Sequence, residues 1–177
     1  MILMMGMAGS GKGTQGRMLA DAHGLHLISM GDVFRTYATG VVREKMLAGA
    51  LINDDETIAL MNKVLLSIDD KGEILLDGFP RSIAQAEWLL EQAKAGRCTL
   101  RAAFHLVASR EALKKRLQAR GRIDDTDAVI EARFDEYERA TAPILDWLTE
   151  HDVNVINVDA ERSVEVINAD LEKHLSK

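Results

Sequence analysis

The chain has 177 residues, 47% of them hydrophobic, which suits one domain with a substantial core. Its formal net charge of −6 argues against a nucleic-acid polymer as partner, because proteins that bind one usually present a basic face. Small anionic ligands stay open, since arginines can cluster locally in an acidic protein. The only cysteine, Cys98, excludes an internal disulfide and suits a reducing cytoplasm. The apolar run 2–5 is too short for a signal peptide or a membrane span, so we expect a cytoplasmic chain that does not bind membranes.

The apolar run at residues 2–5 predicts a buried parallel strand, and a glycine-rich stretch follows it directly. Residues 6–15 read Gly-Met-Ala-Gly-Ser-Gly-Lys-Gly-Thr-Gln and lead into a helical pattern. Strand, glycine loop and helix are the context of a phosphate-binding loop, where backbone N–H groups and the helix N-terminus hold an anion. Lys12 would supply a full charge for the β- and γ-phosphates and Thr14 a hydroxyl near a metal. The alternative is a plain glycine turn, but the combination of glycines with Lys12 favours a nucleotide phosphate site.

The next part of the chain predicts a strand and then a run of helices. Residues 25–29 read as the second strand, and Asp32 is expected to cap a short helix that carries Arg35. Helical pieces are then predicted at 45–50 and 54–67, the second of which opens with acidic residues. Because no strand separates these helices, they indicate an excursion from an α/β core.

The remaining sequence returns to alternating strands and helices. Strands are predicted at 73–77, 102–107 and 153–158, and helices begin at Ser82, Ser109 and Ser163. A long helix is predicted over 126–150, bent by Pro143. The pattern predicts an α/β fold of the P-loop NTPase type, in three layers, with a five-stranded parallel sheet flanked by helices. Ligands should then bind at the carboxyl ends of the strands.

Asp77 is the candidate metal ligand. It follows three apolar strand residues, so it lies at the carboxyl end of a core strand, where an acid can hold Mg²⁺ directly or through water. The alternative is that Asp77 simply forms a turn before Gly78. We favour the metal role, because a phosphate-binding loop independently requires a cation.

Several arginines form a second group of candidates. Arg81 follows a Phe-Pro pair, Arg116, Arg120 and Arg122 cluster at a helix end, and Arg133 comes about three helical turns later. Phosphoryl transfer between two nucleotides crowds negative charges, which repel by about 4 kcal/mol per pair at 4 Å and an effective dielectric near 20. Guanidinium groups answer that charge with paired hydrogen bonds and keep their proton. Any one of these arginines alone could be a solvated surface charge. Their clustering predicts that they bind substrate phosphates.

Four motifs, in this order, resemble the nucleoside monophosphate kinases, and among them the adenylate kinases most. They are residues 6–15, Gly31-Asp32…Arg35, Asp77-Gly78-Phe79-Pro80-Arg81…Gln85 and Arg122-Ile123-Asp124-Asp125…Arg133. The resemblance spans essentially the whole chain, and Gly13 is what this family has after the lysine. It implies a Mg²⁺-dependent, reversible transfer of a phosphoryl group from ATP to AMP, giving two ADP.

The resemblance also implies a set of site residues. The expected ATP contacts are Gly9, Ser10, Gly11, Lys12, Gly13, Thr14, Arg116, Arg120 and Arg162. The expected AMP contacts are Met30, Arg35, Ala50, Leu51, Ile52, Gly78, Phe79, Pro80, Arg81, Gln85, Arg122 and Arg133. The expected catalytic residues are Lys12, Arg81, Arg120, Arg122 and Arg133, and Asp77 and Thr14 are the expected residues at the metal. Residues 1–177 would form a single kinase domain, with 29–58 as its acceptor-binding subdomain and 120–126 as a minimal lid.

Two departures from the family pattern concern the acceptor base and the lid. Met30 stands where adenylate kinases usually carry a Thr that touches the base, whereas Gln85 favours adenine because UMP/CMP kinases carry Asn there. Only Gly121 separates Arg120 from Arg122, where longer members insert a small domain that often binds zinc, so we expect no structural zinc. The alternatives are a UMP/CMP or other nucleoside monophosphate kinase and, more remotely, a P-loop nucleotide-binding switch. We expect a monomer.

Overall fold

A parallel β-sheet forms the centre of the molecule in a computed structural model that describes residues 1–37, 40, 44, 52–68 and 73–175. Its strands are β1 (Ile2–Met5), β2 (His26–Ser29), β3 (Ile74–Asp77), β4 (Ala102–Val107) and β5 (Val155–Asp159). The strand order is β2-β3-β1-β4-β5, and every neighbouring pair is parallel. The predicted α/β fold with five parallel strands is confirmed.

Helices cover both faces of the sheet. In the described ranges they are α1 (Lys12–His23), α2 (Met30–Tyr37), α3 (Asp54–Ser67), α4 (Ile83–Lys94), α5 (Arg110–Arg120), α6 (Asp127–Glu136), α7 (Ala142–Glu150) and α8 (Val164–Leu175). A five-residue π-helical turn, Tyr137–Thr141, joins α6 to α7. None of these helices is long and apolar enough to cross a bilayer. The predicted helix at 45–50 lies outside the described residues.

The middle strand β1 shows how the sequence produces three layers. Successive side chains of a strand point to opposite faces, and all four residues of β1 are buried. Leu3 and Met5 belong to the core with α3, α4 and α7, whereas Ile2 and Met4 belong to the core with α1 and α8. Burying one such side chain contributes about 1.5–3 kcal/mol. A continuous apolar run therefore fits a strand that has helices on both sides.

The strand order brings the sequence motifs to one edge of the sheet. β1 lies between β3 and β4, and Met4 pairs with Asp77 in the register of β1 with β3. The glycine loop after β1 and the Gly-Phe-Pro-Arg loop after β3 therefore leave the sheet side by side. This carboxyl edge, where the chain crosses to both sides of β1, is where parallel sheets bind ligands.

Two local predictions are wrong. The helix expected over 126–150 is continuous from Asp127 to Glu150, so only its uniform α bonding is wrong: before Pro143, which has no N–H to donate, one turn changes to π bonding, with Ala142 N–H donating to Tyr137 O. Asp32 does not cap a helix: α2 already begins at Met30, and the Ser29 hydroxyl accepts the Asp32 N–H at 3.4 Å.

The structure predicts very different costs for alanine at two glycines that both have positive φ. Gly6 has φ 138°, and a Cβ there would lie 2.6 Å from the Leu106 carbonyl oxygen, whereas Gly24 has φ 65° and open space around it. Gly24→Ala should lower the free energy of unfolding by about 1–2 kcal/mol through backbone strain alone. Gly6→Ala should cost about 1–3 kcal/mol more because the atoms overlap. Urea unfolding of both variants measures the difference, and equal losses would contradict this packing.

Candidate active site

A cleft of about 860 Å³ opens at the carboxyl edge of the sheet. Its walls come from the loops after β1 and β3, the start of α2, the ends of α5 and α6, and the start of α8. The described basic side chains on its walls are Lys12, Arg17, Arg35, Arg81, Arg116, Arg120, Arg122, Arg133 and Arg162, against the acids Asp21, Asp32, Asp77 and Glu136. An acidic protein thus contains a cleft of positive potential, which attracts polyanions.

The glycine loop is shaped as a phosphate cradle. Gly9 and Gly11 have φ of 84° and 95°, and a Cβ at Gly9 would lie 2.9 Å from Leu117 Cγ, so α5 packs directly against the loop. Gly11 precedes α1 without any side-chain cap, which leaves the first N–H groups of the helix available to a ligand. Ser10 Oγ is buried and has no hydrogen-bond partner among the described residues. The loop therefore holds unpaired donors where an anion would bind.

Lys12 lies folded against this loop. Its Nζ donates to the carbonyl oxygens of Gly6 at 2.8 Å and Met7 at 2.9 Å, so one of its three N–H donors remains for a ligand. Burial lowers the pKa of Lys12 to about 8, an effect that Asp77 opposes and that the charges of Arg81 and Arg120 reinforce. A bound phosphate would stabilise the charged ammonium again.

Asp77 faces the first turn of α1, as the metal prediction requires. A Cβ at Gly13 would lie 3.6 Å from Asp77 Oδ2, and Thr14 lines the same part of the cleft. Mg²⁺ prefers oxygen ligands and usually binds one or two carboxylates together with water and substrate phosphates. The carboxylate of Asp77 and the hydroxyl of Thr14 fit that chemistry. In the described part of the chain, no three His, Cys, Asp or Glu side chains group as a metal site.

The arginines are close enough to repel one another. Burial lowers the pKa of Arg81, and the charges of Arg133 and Arg35 lower it further. The pKa of Arg122 is lowered in the same way, by burial and then by Arg35 and Arg120. Two clusters that are separate in the sequence thus meet in one cleft. An anion bound between them would relieve the repulsion.

Two aspartates hold part of this cluster in place. Asp125, whose side chain is 1% exposed, accepts two bonds from Arg120 at 2.7 and 2.9 Å, one from Arg133 at 3.3 Å and the Arg122 N–H at 3.2 Å. Asp124 accepts a short bond from Arg133. Burial alone would raise the pKa of both acids, but the arginine bonds outweigh it and lower the pKa. Sequence reasoning gave these aspartates no role of their own, although adjacent acids so close to arginines were a usable signal.

Most residues predicted for the acceptor line the cleft. Those on its wall are Arg35, Ile52, Gly78, Pro80, Arg81, Gln85, Arg122 and Arg133. Met30 and Phe79 are 1% and 0% exposed and belong to the core instead, so their contacts with AMP stay predictions. Ala50 and Leu51 lie outside the described residues. Thr57, which is buried and lines the cleft, was not predicted.

The residues predicted for ATP line the same cleft. Gly9 to Thr14, Arg116, Arg120 and Arg162 all border the cleft. Arg162, just before α8, is held by Asp170 at 2.8 Å and by the Asp159 carbonyl oxygen at 3.0 Å. The expected ATP residues and the expected AMP residues thus share one continuous cavity.

The π-helical turn forms a wall that sequence reasoning missed. Thr141 Oγ1 donates to the Arg81 carbonyl oxygen at 3.1 Å. At the other end of the turn, the Tyr137 hydroxyl lies 3.1 Å from His105 Nε2, and His105 Nδ1 lies 2.7 Å from Asn157 Oδ1. Burial raises the pKa of Tyr137 to about 12 and lowers that of His105, so both are neutral at pH 7. The turn therefore connects the Arg133 helix with the Arg81 loop and with β4.

Comparisons with known proteins agree with this geometry. The adenylate kinase family model matches residues 4–153. A Synechococcus protein named adenylate kinase is 38% identical, covering 99% of this chain and 98% of its own. An adenylate kinase from Mycobacterium sp. (strain MCS) is 41% identical, covering 82% of this chain and 83% of its own. One from Corynebacterium urealyticum is 36% identical, covering 92% of this chain and 91% of its own. The family model and the relatives cover most of the chain, and the fold and the cleft agree with them. The chain therefore belongs to the adenylate kinase family.

Proposed function

We propose that this chain transfers the γ-phosphoryl group of Mg·ATP to AMP reversibly, giving two ADP. The observation that carries the proposal is the single cleft in which a phosphate cradle faces a second group of arginines. One nucleotide needs only the cradle. Arg35, Arg81 and Arg133 line the same cleft, and a second anionic substrate opposite ATP would give these three cations a common partner.

The two substrates would occupy opposite ends of the cleft. We place the ATP phosphates on the loop from Gly9 to Thr14, with Arg116, Arg120 and Arg162 beside them. The acceptor phosphate would lie among Arg35, Arg81, Arg122 and Arg133, with its base toward Gln85. In this proposal residues 29–58 are the acceptor-binding subdomain of a single domain, and 120–126 are a minimal lid. Gly121 supports the lid assignment, because its φ of 65° ends α5 and turns the chain back within one residue.

The transfer needs positioning and charge neutralisation rather than a covalent intermediate. A phosphate oxygen of AMP would attack the γ-phosphorus in line, forming one P–O bond while the bond to the β-phosphate oxygen breaks and its electron pair leaves with ADP. Lys12, the loop N–H groups and the arginines would stabilise the spread of negative charge. Asp77 and Thr14 would hold Mg²⁺, which when bound supplies further positive charge to the phosphates.

The setting we propose is a cytoplasmic monomer that acts on free nucleotides, without a nucleic-acid polymer or a membrane as partner. The single cysteine supports a reducing compartment. The net charge of −6, together with basic side chains gathered in the cleft, supports a small polyanion as the ligand.

A panel of acceptors tests the proposed function. Initial rates would be measured with AMP, CMP, UMP and dGMP at fixed Mg·ATP, with ADP formation as the readout. We expect AMP to be the preferred acceptor. A strong preference for UMP or CMP would contradict the adenine assignment, and ATP hydrolysis without any transfer would contradict the kinase.

The pKa of Lys12 predicts how ATP use depends on pH. Because this pKa is lowered to about 8, the free enzyme loses the ammonium charge as the pH rises through 8. The value of kcat/KM for ATP, which reports the free enzyme, should fall about tenfold per pH unit above 8. Phosphate binding raises the pKa again, so kcat at saturating ATP should stay level to higher pH.

The same series contains its own control. When AMP is varied at saturating ATP, Lys12 is already paired with phosphate, so the alkaline fall in kcat/KM for AMP should begin at higher pH. If kcat/KM for ATP stayed constant between pH 7.5 and about 9.5, Lys12 would not hold the phosphates in the way proposed.

The bond from Thr141 to the Arg81 loop predicts a matched pair of variants. Thr141→Val removes the hydroxyl that the Arg81 carbonyl accepts and keeps the side-chain volume, so the loop can shift. Small misplacements of a reacting group cost up to about a hundredfold, and we expect kcat with AMP to fall about ten- to a hundredfold, with little change in KM for ATP. Thr141→Ser keeps the hydroxyl and should retain most of the rate. Equal rates for the two variants would contradict the role of this bond.

A further inference from the structure

Asp54 joins the start of α3 to the start of α4. It is the first residue of α3, and its Oδ1 accepts the Ser82 hydroxyl at 2.8 Å and Gln85 Nε2 at 2.7 Å. Ser82 and Gln85 lie 28 and 31 positions after Asp54 in the sequence, and Gln85 lines the cleft. Asn53 already caps α3 through the Asp55 N–H, so helix capping does not account for the contacts of Asp54.

The side-chain amide of Gln85 is fixed at both ends. Its Oε1 accepts the backbone N–H of Arg81 at 2.8 Å, while its Nε2 donates to Asp54. A backbone N–H can only donate and a carboxylate can only accept. Reversing the amide would bring two donors together at Arg81 and two acceptors together at Asp54. With Gln85 only 2% exposed, either conflict would leave polar atoms unpaired on the side of the amide that faces Arg81 and Asp54, which is costly.

The fixed amide has hydrogen-bonding capacity left. Oε1 keeps one lone pair and Nε2 keeps one N–H, and Gln85 lines the cleft. The edge of adenine presents an amino donor at N6 beside an acceptor at N1, which pair with this oxygen and this N–H. Hypoxanthine has the same shape with the polarity reversed, because O6 accepts and N1–H donates. Only one of the two bases matches the amide in the orientation that Asp54 and Arg81 impose.

We propose that Asp54 is a positioning residue for base selection, which makes the acceptor site prefer adenine to hypoxanthine by fixing the polarity of the Gln85 amide. The inference rests on the proposed function, in which Gln85 contacts the acceptor base. Asp54 itself acts through Gln85 and touches no substrate in this proposal.

The test compares AMP with inosine monophosphate as acceptors in the wild-type chain and in Asp54→Asn. Sites that hydrogen-bond a substrate reject analogues that leave those groups unpaired by about 10⁴-fold, so the wild type should strongly prefer AMP. The amide of Asn can donate to or accept from Gln85, which removes one of the two constraints. We expect the ratio of kcat/KM for AMP to that for inosine monophosphate to fall at least about tenfold, the effect of one hydrogen bond to a charged group.

Asp55→Asn is the matched control. Asp55 is exposed and is the next residue of the same helical turn. Its replacement by Asn removes the same charge from the same helix N-terminus as Asp54→Asn does. The AMP to inosine monophosphate ratio of Asp55→Asn should equal that of the wild type. Calorimetric binding of the two monophosphates gives a second readout, and circular dichroism verifies the fold. If Asp54→Asn does not fold, Asp54→Ser serves instead, because its hydroxyl also donates or accepts.

The outcomes separate this inference from the function on which it rests. A wild type that phosphorylates AMP, with an unchanged ratio in the folded Asp54 variant, contradicts the inference alone. A wild type that transfers nothing to AMP contradicts the proposed function and the inference together. A lower ratio in the Asp54 variant and an unchanged one in Asp55→Asn support the inference.

Discussion

Positive charge crowded into one cleft is the constraint on which the site depends. Burial and neighbouring cations together lower the pKa of Lys12, Arg81 and Arg122, which means that each pays a penalty for its charge in the absence of ligand. At about 4 Å, two such charges repel by about 4 kcal/mol at an effective dielectric near 20. Asp77 opposes the shift at Lys12 and Arg81, and Asp32 and Asp124 oppose it at Arg122, but the pKa of each cation stays lowered. Substrate phosphates would supply the missing negative charge, so the site is built for anions that arrive from outside.

The fold keeps these charges together by joining distant segments. The order of the sheet places the loops after β1 and β3 side by side, which brings Lys12 near Asp77 and Arg81. The π-helical turn then binds the Arg81 loop through Thr141, at the end of the helix that carries Arg133. Asp125 accepts hydrogen bonds from the guanidinium groups of Arg120 and Arg133 and from the backbone N–H of Arg122, which lie on both sides of Gly121 in the sequence. Backbone carbonyls hold Lys12 and Arg81, and carboxylates hold Arg120 and Arg133, which limits the reorganisation needed when substrates bind.

Much of the fold and of the glycine loop could be predicted because their signals are local. Four-residue apolar runs, the glycine spacing around Lys12 and the acid at the end of β3 each depend on neighbouring residues alone. The π-helical turn could not be predicted, since Pro143 indicates only that the helix is disturbed. Met30 is apolar and fully buried, and only packing shows that it faces the core instead of the cleft. The contacts of Asp54 with Ser82 and Gln85 depend on how two helices dock, which no sequence spacing encodes.

The central claim is that one cleft neutralises two facing polyanions at once. The most direct measurement is calorimetric titration with a mimic in which five phosphates join two adenosines, compared with ATP alone. The account predicts one-to-one binding that is far tighter than that of ATP, because both nucleoside ends and all the phosphates would be engaged together. Binding no tighter than that of ATP would contradict it.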